Sequence, residues 1–343
     1  MFDLHMHTTY CDGKNSAEEM IISAIDKGLD TVGLSGHSFT PHDVSYCMSR
    51  EGTESYIREV RDLDEKYSGD IRVLTGIERD YYADISNGEF DYVIGSLHYL
   101  FKTDKGCCDI ETVPGKAAAG SNKSEESGAA LWTDVDDNPD KLIDFAFRYY
   151  GGDLMCLAEL YYETLEDIVS VTDCDIIGHF DLITKFNERF ALDGQGRVID
   201  LYSESAAAKN VRLLFDTSDE RYIAAWKKAI DRIFEETVIQ RCGRGDTSEF
   251  AADDSLTGAD RNILHPNRLE TLGLLRAGDK PVFEINTGAI SRGYRTTPYP
   301  AQDQIEYIKS RGGILILSSD SHSSDAIGNR FEELKHLTQI TCS

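Results

Sequence analysis

This chain has no long hydrophobic run. Its apolar stretches, such as Gly313 to Leu317, are of strand length, far below the ~20 residues that span a bilayer. The first residues, MFDLHMHTTYCDG, contain neither the basic nor the apolar region of a secretion signal, so a cytoplasmic chain is expected. Positive charge is scarce as well. Lys and Arg number 35 against 61 Asp and Glu, a formal charge of −26 with a pI near 4.6. A field of that sign repels phosphate backbones and anionic lipid. No basic strip interleaved with aromatics interrupts it, so neither nucleic acid nor membrane is expected as a partner. Eight cysteines are present, but none forms CxxC and Cys107 and Cys108 are adjacent. Scattered thiols of this kind read as reduced, not as a disulfide framework. Any anionic substrate would then need a local source of positive charge, and bound metal is the simplest one.

What is present is ordinary globular material, 41% hydrophobic in 343 residues, enough for two average domains or one large α/β barrel. Seven short, β-branched strands can be read: Phe2 to His5, Asp30 to Leu34, Ile71 to Ile77, Asp91 to Leu97, Asp175 to Gly178, Pro281 to Ile285 and Gly313 to Ser318. Helical patterns lie between them. Ser16 and Glu19 form a capping box ahead of Met20, Ile21, Ala24 and Ile25, and Gly28 ends that helix. A second helix carries Ile57, Val60 and Leu63, and another starts at Pro300 with Ile305 and Ile308 inward. Alternation of this kind builds parallel βα units. Two intervals are too long for one crossover. Lys102 to Asp140 reads as a mobile loop, and Ser203 to His265 as a helix around Tyr222 to Thr237 followed by a polar stretch. Both read as insertions into a single domain spanning residues 1–343, because strands with the same polar endings resume after each.

Those endings carry the chemistry. Of nine histidines, six sit with two acidic residues at or just past strand ends. His5 and His7 follow strand one, His37 strand two, Glu78 strand three, His98 strand four, His179 strand five, and Asp320 and His322 strand seven. In a barrel of parallel strands these ends share one mouth. A side-chain period of two places both members of His5-x-His7, and of Asp320-x-His322, on one face, where two side chains can grip one ion. Glu78 reads as the only carboxylate at the end of strand three. Asp12 precedes Gly13, and a turn and a ligand are both open for it. His42, His265, His336, Cys11 and Cys174 are given no role.

The motifs His5-Met6-His7-Thr8, Ser35-Gly36-His37, Gly76-Ile77-Glu78, Gly95-Ser96-Leu97-His98, Ile177-Gly178-His179-Phe180-Asp181 and Ser319-Asp320-Ser321-His322 resemble, in order and spacing, the polymerase-and-histidinol-phosphatase (PHP) superfamily. DYVIGSLHYL, IGHFDLITKF and EINTGAISRGYR are most similar to its histidinol-phosphate phosphatase branch. The resemblance implies an α/β fold, a distorted (β/α)7 TIM-like barrel, here with two insertions. It also implies a ligand set. His5, His7, Glu78 and Asp320 would hold one ion, with Glu78 bridging to a second held by His98 and His179. His37, His322 and Asp12 would hold a third. The branch usually has a His where this chain has Gly13, whereas Cys11-Asp12-Gly13 matches a form found in other PHP phosphoesterases.

Imidazole and carboxylate without thiolate suit two or three divalent transition metals, Zn, Mn or Fe. A water bridging such ions is acidified to hydroxide near neutral pH and becomes the nucleophile, and clustered cations neutralise charge on a phosphate. Glu78, Asp320 and His322 are the expected catalytic residues. Arg292, in the loop after strand six, best matches the phosphate-binding position, with Lys185 and Arg189 behind it. The expected activity is metal-dependent hydrolysis of a small phosphorylated substrate, L-histidinol phosphate, as a step of histidine biosynthesis. The alternatives are a PHP phosphoesterase acting on nucleotides or phosphotyrosine, or a non-catalytic metal-binding module.

Overall fold

The computed structural model describes residues 1–41, 43–103, 131–203, 211–242 and 266–338. His42, His265, Cys107, Cys108, most of the first expected insertion and nearly half of the second lie outside them. The chain forms two compact units. One comprises Met1–Leu97, Thr164–Leu182 and Lys227–Ser343; the other comprises His98–Glu163 and Ile183–Trp226.

All seven expected strands are present, and all belong to the first unit. They are β1 (Phe2–Asp3), β2 (Thr31–Leu34), β3 (Arg72–Asp80), β4 (Tyr92–Ser96), β5 (Ile176–Ile177), β6 (Val282–Asn286) and β7 (Ile314–Ser318). They form one sheet in chain order, β1 to β7, and every pair is parallel. Past the ends of β1 and β7, Met6 and Ser321 bridge in parallel: the His7 N–H donates to the Ser321 carbonyl at 2.9 Å, and the Ser321 N–H to that of His5 at 3.2 Å. The sheet is thereby nearly closed into a barrel with flanking helices, a distorted (β/α)7 TIM-like barrel.

The inward rows of the strands explain why one end of the barrel is a core and the other a polar site. Leu4, Leu74, Tyr92, Ile94, Ile176, Val282 and Ile316 pack together inside the barrel, with Leu269, Leu275 and Ala277 beneath them. With a period of two, the row through Leu74 reaches Glu78, that through Val282 reaches Glu284, and that through Ile316 reaches Asp320. Burial of each large apolar side chain contributes roughly 1.5–3 kcal/mol. The apolar half therefore holds the strands while their upper ends carry charge.

Helix α1 (Ala17–Asp26) starts as its sequence dictates: the Ser16 hydroxyl accepts from the Glu19 N–H at 3.3 Å, and the Glu19 carboxylate accepts from the Ser16 N–H at 2.8 Å. Helix α2 (Arg50–Tyr67) buries Tyr56, Ile57, Val60 and Leu63. Two boundaries differ from expectation. The helix expected from Pro300 is α3 (Gln302–Ser310), because Asn286 and Tyr299 exchange backbone hydrogen bonds at 2.8 and 3.0 Å and keep residue 299 extended. Strand β3 runs three residues past Ile77 to Asp80, held to β4 through Asp80–Ser96. Glu78 therefore lies inside the strand, and the buried Asp80, two residues on, is a second carboxylate at that end.

In the second unit, Tyr99–Phe101 pairs antiparallel with Trp132–Asp134, so the expected loop from Lys102 ends in ordered strand. A three-stranded antiparallel sheet is formed by Arg212–Leu213, Phe190–Leu192 and Val198–Asp200. Tyr161, Tyr162 and Tyr222 stack edge-on in its core, and Arg221 pairs with Asp153 and Glu159 at 2.8 and 2.7 Å. The helix expected at Tyr222 to Thr237 is Glu220–Cys242.

Candidate functional site

At the carboxyl ends of the strands, Glu78 is the hub. Its Oε2 lies 3.2 Å from His5 Nε2, 3.5 Å from His7 Nε2 and 2.9 Å from His37 Nδ1. Its Oε1 lies 2.8 Å from His179 Nε2. One buried carboxylate thus faces imidazoles delivered by β1, β2 and β5. Asp320 faces the same rings from β7, with Oδ1 3.2 Å from His7 Nε2 and 3.8 Å from His5 Nε2. Nearer solvent, Asp12 lies 3.1 Å from His322 Nε2, 3.6 Å from His37 Nε2 and 3.7 Å from His7 Nδ1. His98 is buried directly beyond β4, as the first residue of the second unit.

Within the first unit, two groups of side chains present their ligand atoms within 4.8 Å of one another: His5, His7 and Asp320, and His7, Asp12, His37 and His322. His7 belongs to both. The donor set is imidazole and carboxylate only. Cys11 Sγ comes within 3.6 Å of His7 Nδ1, but burial, followed by the charge of Asp12, pushes its thiol up to about 11 and keeps it protonated.

A fit to metal rests on two atoms. His5 Nε2 and His7 Nε2 are buried and form no hydrogen bond, although both point at carboxylate oxygens. Orphaned polar atoms are costly inside a protein. Two convergent imidazole nitrogens beside Glu78 and Asp320 suit a divalent cation, which would take the place of the His5 proton.

Charge is unevenly shared around them. Burial, then the neighbouring His322 and His37, pushes His7 down to about 3 and keeps it neutral. Burial opposes protonation of His5 too, but Glu284, Glu78 and Asp320 outweigh it and hold His5 well above the usual imidazole range. Burial would raise Asp320; the Arg292 guanidinium and His5 overcome this and hold it well below the carboxylate range. Asp12 is lowered in the same way, His37 and His322 prevailing over burial.

Arg292 stands at this site. Its guanidinium donates to Asp320 Oδ2 at 3.1 Å and to His322 Nδ1 at 2.8 Å. Gly288, four residues earlier, permits this approach, since a Cβ there would lie 2.5 Å from Asp320 Oδ2. The two second choices for phosphate binding lie in the second unit, each beside its own carboxylate: Lys185 is 3.0 Å from Asp136, and Arg189 is 3.3 Å from Asp200. His336 is exposed on the surface, its Nδ1 2.8 Å from the Glu333 carbonyl.

Sequence reasoning missed Glu284. It is fully buried, and its Oε2 lies 2.8 Å from His5 Nδ1. The signal was available: an acidic residue in the middle of Val282-Phe283-Glu284-Ile285, an otherwise apolar strand, needs a buried partner. Asp80 was missed because β3 was ended too early.

A family model described as the PHP domain matches residues 3–217. The chain belongs to the PHP family. Among curated proteins, the "Probable histidinol-phosphatase" of Deinococcus radiodurans is 27% identical over 220 residues, covering 58% of this chain and 71% of that protein. A protein of the same name from Schizosaccharomyces pombe is 22% identical over 353 residues, covering 96% of this chain and 83% of its own length. A solved structure from Listeria monocytogenes, also named for histidinol phosphatase, shares the fold with a TM-score of 0.62 at 15% identity, covering 97% of this chain and 99% of that one. With these relatives, the chain is a hydrolase of the phosphatase class. Among the described residues, no helix is long and apolar enough to cross a membrane.

Proposed function

We propose that this PHP enzyme hydrolyses L-histidinol phosphate to L-histidinol and phosphate, as a cytoplasmic step of histidine biosynthesis. The observation that carries the reading is the Glu78 hub, one buried carboxylate whose two oxygens face four imidazoles. His5, His7, Glu78 and Asp320 would hold one ion, Glu78 and His179 a second, and Asp12, His37 and His322 a third, each Zn, Mn or Fe. When bound, such ions supply Lewis acidity toward phosphate oxygens and acidify a water.

The chain's own residues do the rest. Glu78 and Asp320 orient the imidazoles and balance the charge of the loaded site. Arg292, released from Asp320, grips phosphate oxygens with its planar fork. His322, beside Asp12 and Arg292 at the more exposed side of the group, would hold the third ion through Nε2, so the departing alcohol takes its proton from water. The acidity of the protein, −26 overall, suits a substrate whose far end is a cationic amine and imidazole.

A second reading is favoured by one observation. A Cβ at Gly13 would lie 2.5 Å from backbone atoms of His7 and Thr8, so no side chain fits there. Asp12 takes the place beside His37 and His322, an arrangement that fits a PHP phosphoesterase acting on nucleotides or phosphotyrosine. A substrate panel on metal-reconstituted protein separates the two. Histidinol phosphate should have the highest kcat/KM; preference for a nucleoside monophosphate or phosphotyrosine would establish the second reading, and no turnover of any ester would leave a metal-binding module.

A further inference from the structure

We infer that Glu284 is a positioning residue for the site: it fixes the ring of His5 and decides which of its two nitrogens is presented to metal. This role presupposes that the site binds metal, as proposed above.

Glu284 sits on β6 in the same inward row as Val282 and Asn286, and no part of it reaches solvent. A carboxylate so placed must have its lone pairs satisfied, or it would destabilise the barrel. Every partner is supplied by the barrel ends. Oε2 lies 2.8 Å from His5 Nδ1. Oε1 accepts from the backbone N–H of His179 and, at 2.8 Å, from Asn286 Nδ2. Asn286 is fixed in turn, because its Oδ1 accepts from the Gly288 N–H at 2.8 Å. The carboxylate therefore cannot rotate away from His5 without breaking a network anchored on β5, β6 and the loop that carries Arg292.

The consequence for His5 follows from its tautomer. A carboxylate only accepts, so Nδ1 must bear the proton, and a neutral ring then carries its lone pair on Nε2. That nitrogen is the buried atom without a hydrogen bond, aimed at Glu78 Oε2 and Asp320 Oδ1. His7 lacks such a partner. Its Nδ1 is 3.6 Å from a thiol and 3.7 Å from Asp12. Both imidazoles of the HxH motif have a buried carboxylate near Nε2, but only His5 has one at hydrogen-bond distance of Nδ1, so the pair is asymmetric on its outer nitrogens.

The test is Glu284→Gln in the full chain. An amide nitrogen facing Nδ1 favours the opposite tautomer, which puts the proton on the nitrogen that must take the ion. Calorimetric titration of metal-free protein with Zn²⁺ should show affinity weakened by about 10- to 100-fold, the usual effect of removing such a partner, with the Co²⁺-loaded visible spectrum altered. A carboxylate with a merely structural role would lower the melting temperature of apo and loaded protein alike and leave zinc affinity and the cobalt spectrum unchanged; that result overturns the proposal. Should the variant not fold, the wild type decides by long-range ¹H–¹⁵N spectra of the zinc-loaded protein. His5 is expected with a protonated Nδ1 and a zinc-bearing Nε2, and zinc on Nδ1 overturns the role. Wild-type protein that takes up no zinc removes the metal reading itself, and this role with it.

Discussion

Glu78 and Arg292 touch different members of the strand-end cluster, and their variants should fail differently. Glu78 sees His5, His7, His37 and His179 through two oxygens. Converting one oxygen to an NH2 group points donors at nitrogens that must themselves accept a cation. Glu78→Gln should therefore lose metal together with nearly all turnover; elemental analysis and a chromogenic phosphate ester check both, and near-normal activity would remove its bridging role. Arg292 touches Asp320 and His322 but is not of a type that binds cations. A charged hydrogen bond to phosphate is worth roughly 1.5–3 kcal/mol. Arg292→Ala should thus lower kcat/KM about ten- to a hundredfold, with metal content kept, since removing the guanidinium only frees Asp320 for an ion. Arg292→Lys should recover part of it, because an ammonium lacks the bidentate fork. Wild-type kinetics in the alanine variant would remove Arg292 as the anchor.

At the level of elements, the loop from Thr8 to Asn15 shows how a backbone decides a ligand set. The Cys11 and Gly13 N–H groups both donate to the Thr8 carbonyl at 3.0 Å, folding the loop against His7. Only glycine fits at residue 13. Gly13→His, which inserts the residue usual in the histidinol-phosphatase branch, should push this turn off His7 rather than add a ligand. Overpacking of this kind costs about 1–3 kcal/mol. The expected readouts are a lower melting temperature and one fewer ion per chain, and an unchanged ion count with unchanged stability would contradict the packing argument. The same loop marks what the sequence could and could not reveal. Strand positions were legible because period, β-branching and caps are local properties, as the capping box of Ser16 and Glu19 shows. The strand-end histidines were legible because polar residues replaced core residues at the end of an apolar run. For Glu284 the sequence signals a buried acid in an apolar strand but not its partner, His5, which lies far along the chain. Asp80 is hidden because the end of β3 is set by its register with β4. The turn and ligand readings of Asp12 could not be separated either, because the Asp-Gly turn itself carries the carboxylate to His322, so the turn does not exclude the ligand role.

For the whole molecule, the barrel gathers like charges at one end. Glu78, Glu284 and Asp320 are buried together, and in the metal-free chain they are balanced by His5 and Arg292. Their strands, β3, β6 and β7, together with β1, β2 and β5, all end at this cluster. Divalent ions would replace a strained balance of protons and guanidinium with fixed charge, and three of them would reduce −26 to −20, since each adds two. Ligand present at a hundred times its Kd stabilises by about 2.7 kcal/mol per site. In a chain of 343 residues 1 kcal/mol corresponds to about 1.4 °C, so loading two or three ions should raise the melting temperature by about 8–11 °C over chelator-stripped protein. An acidic surface also attracts cations without any site, and that contribution must be separated. Zinc or manganese should give the full shift at a few equivalents. Magnesium or calcium at the same concentration should give little, because hard cations prefer oxygen to imidazole. Equal shifts from all four ions, growing with concentration and fading in added salt, would assign the effect to surface screening and leave the strand-end cluster without a metal.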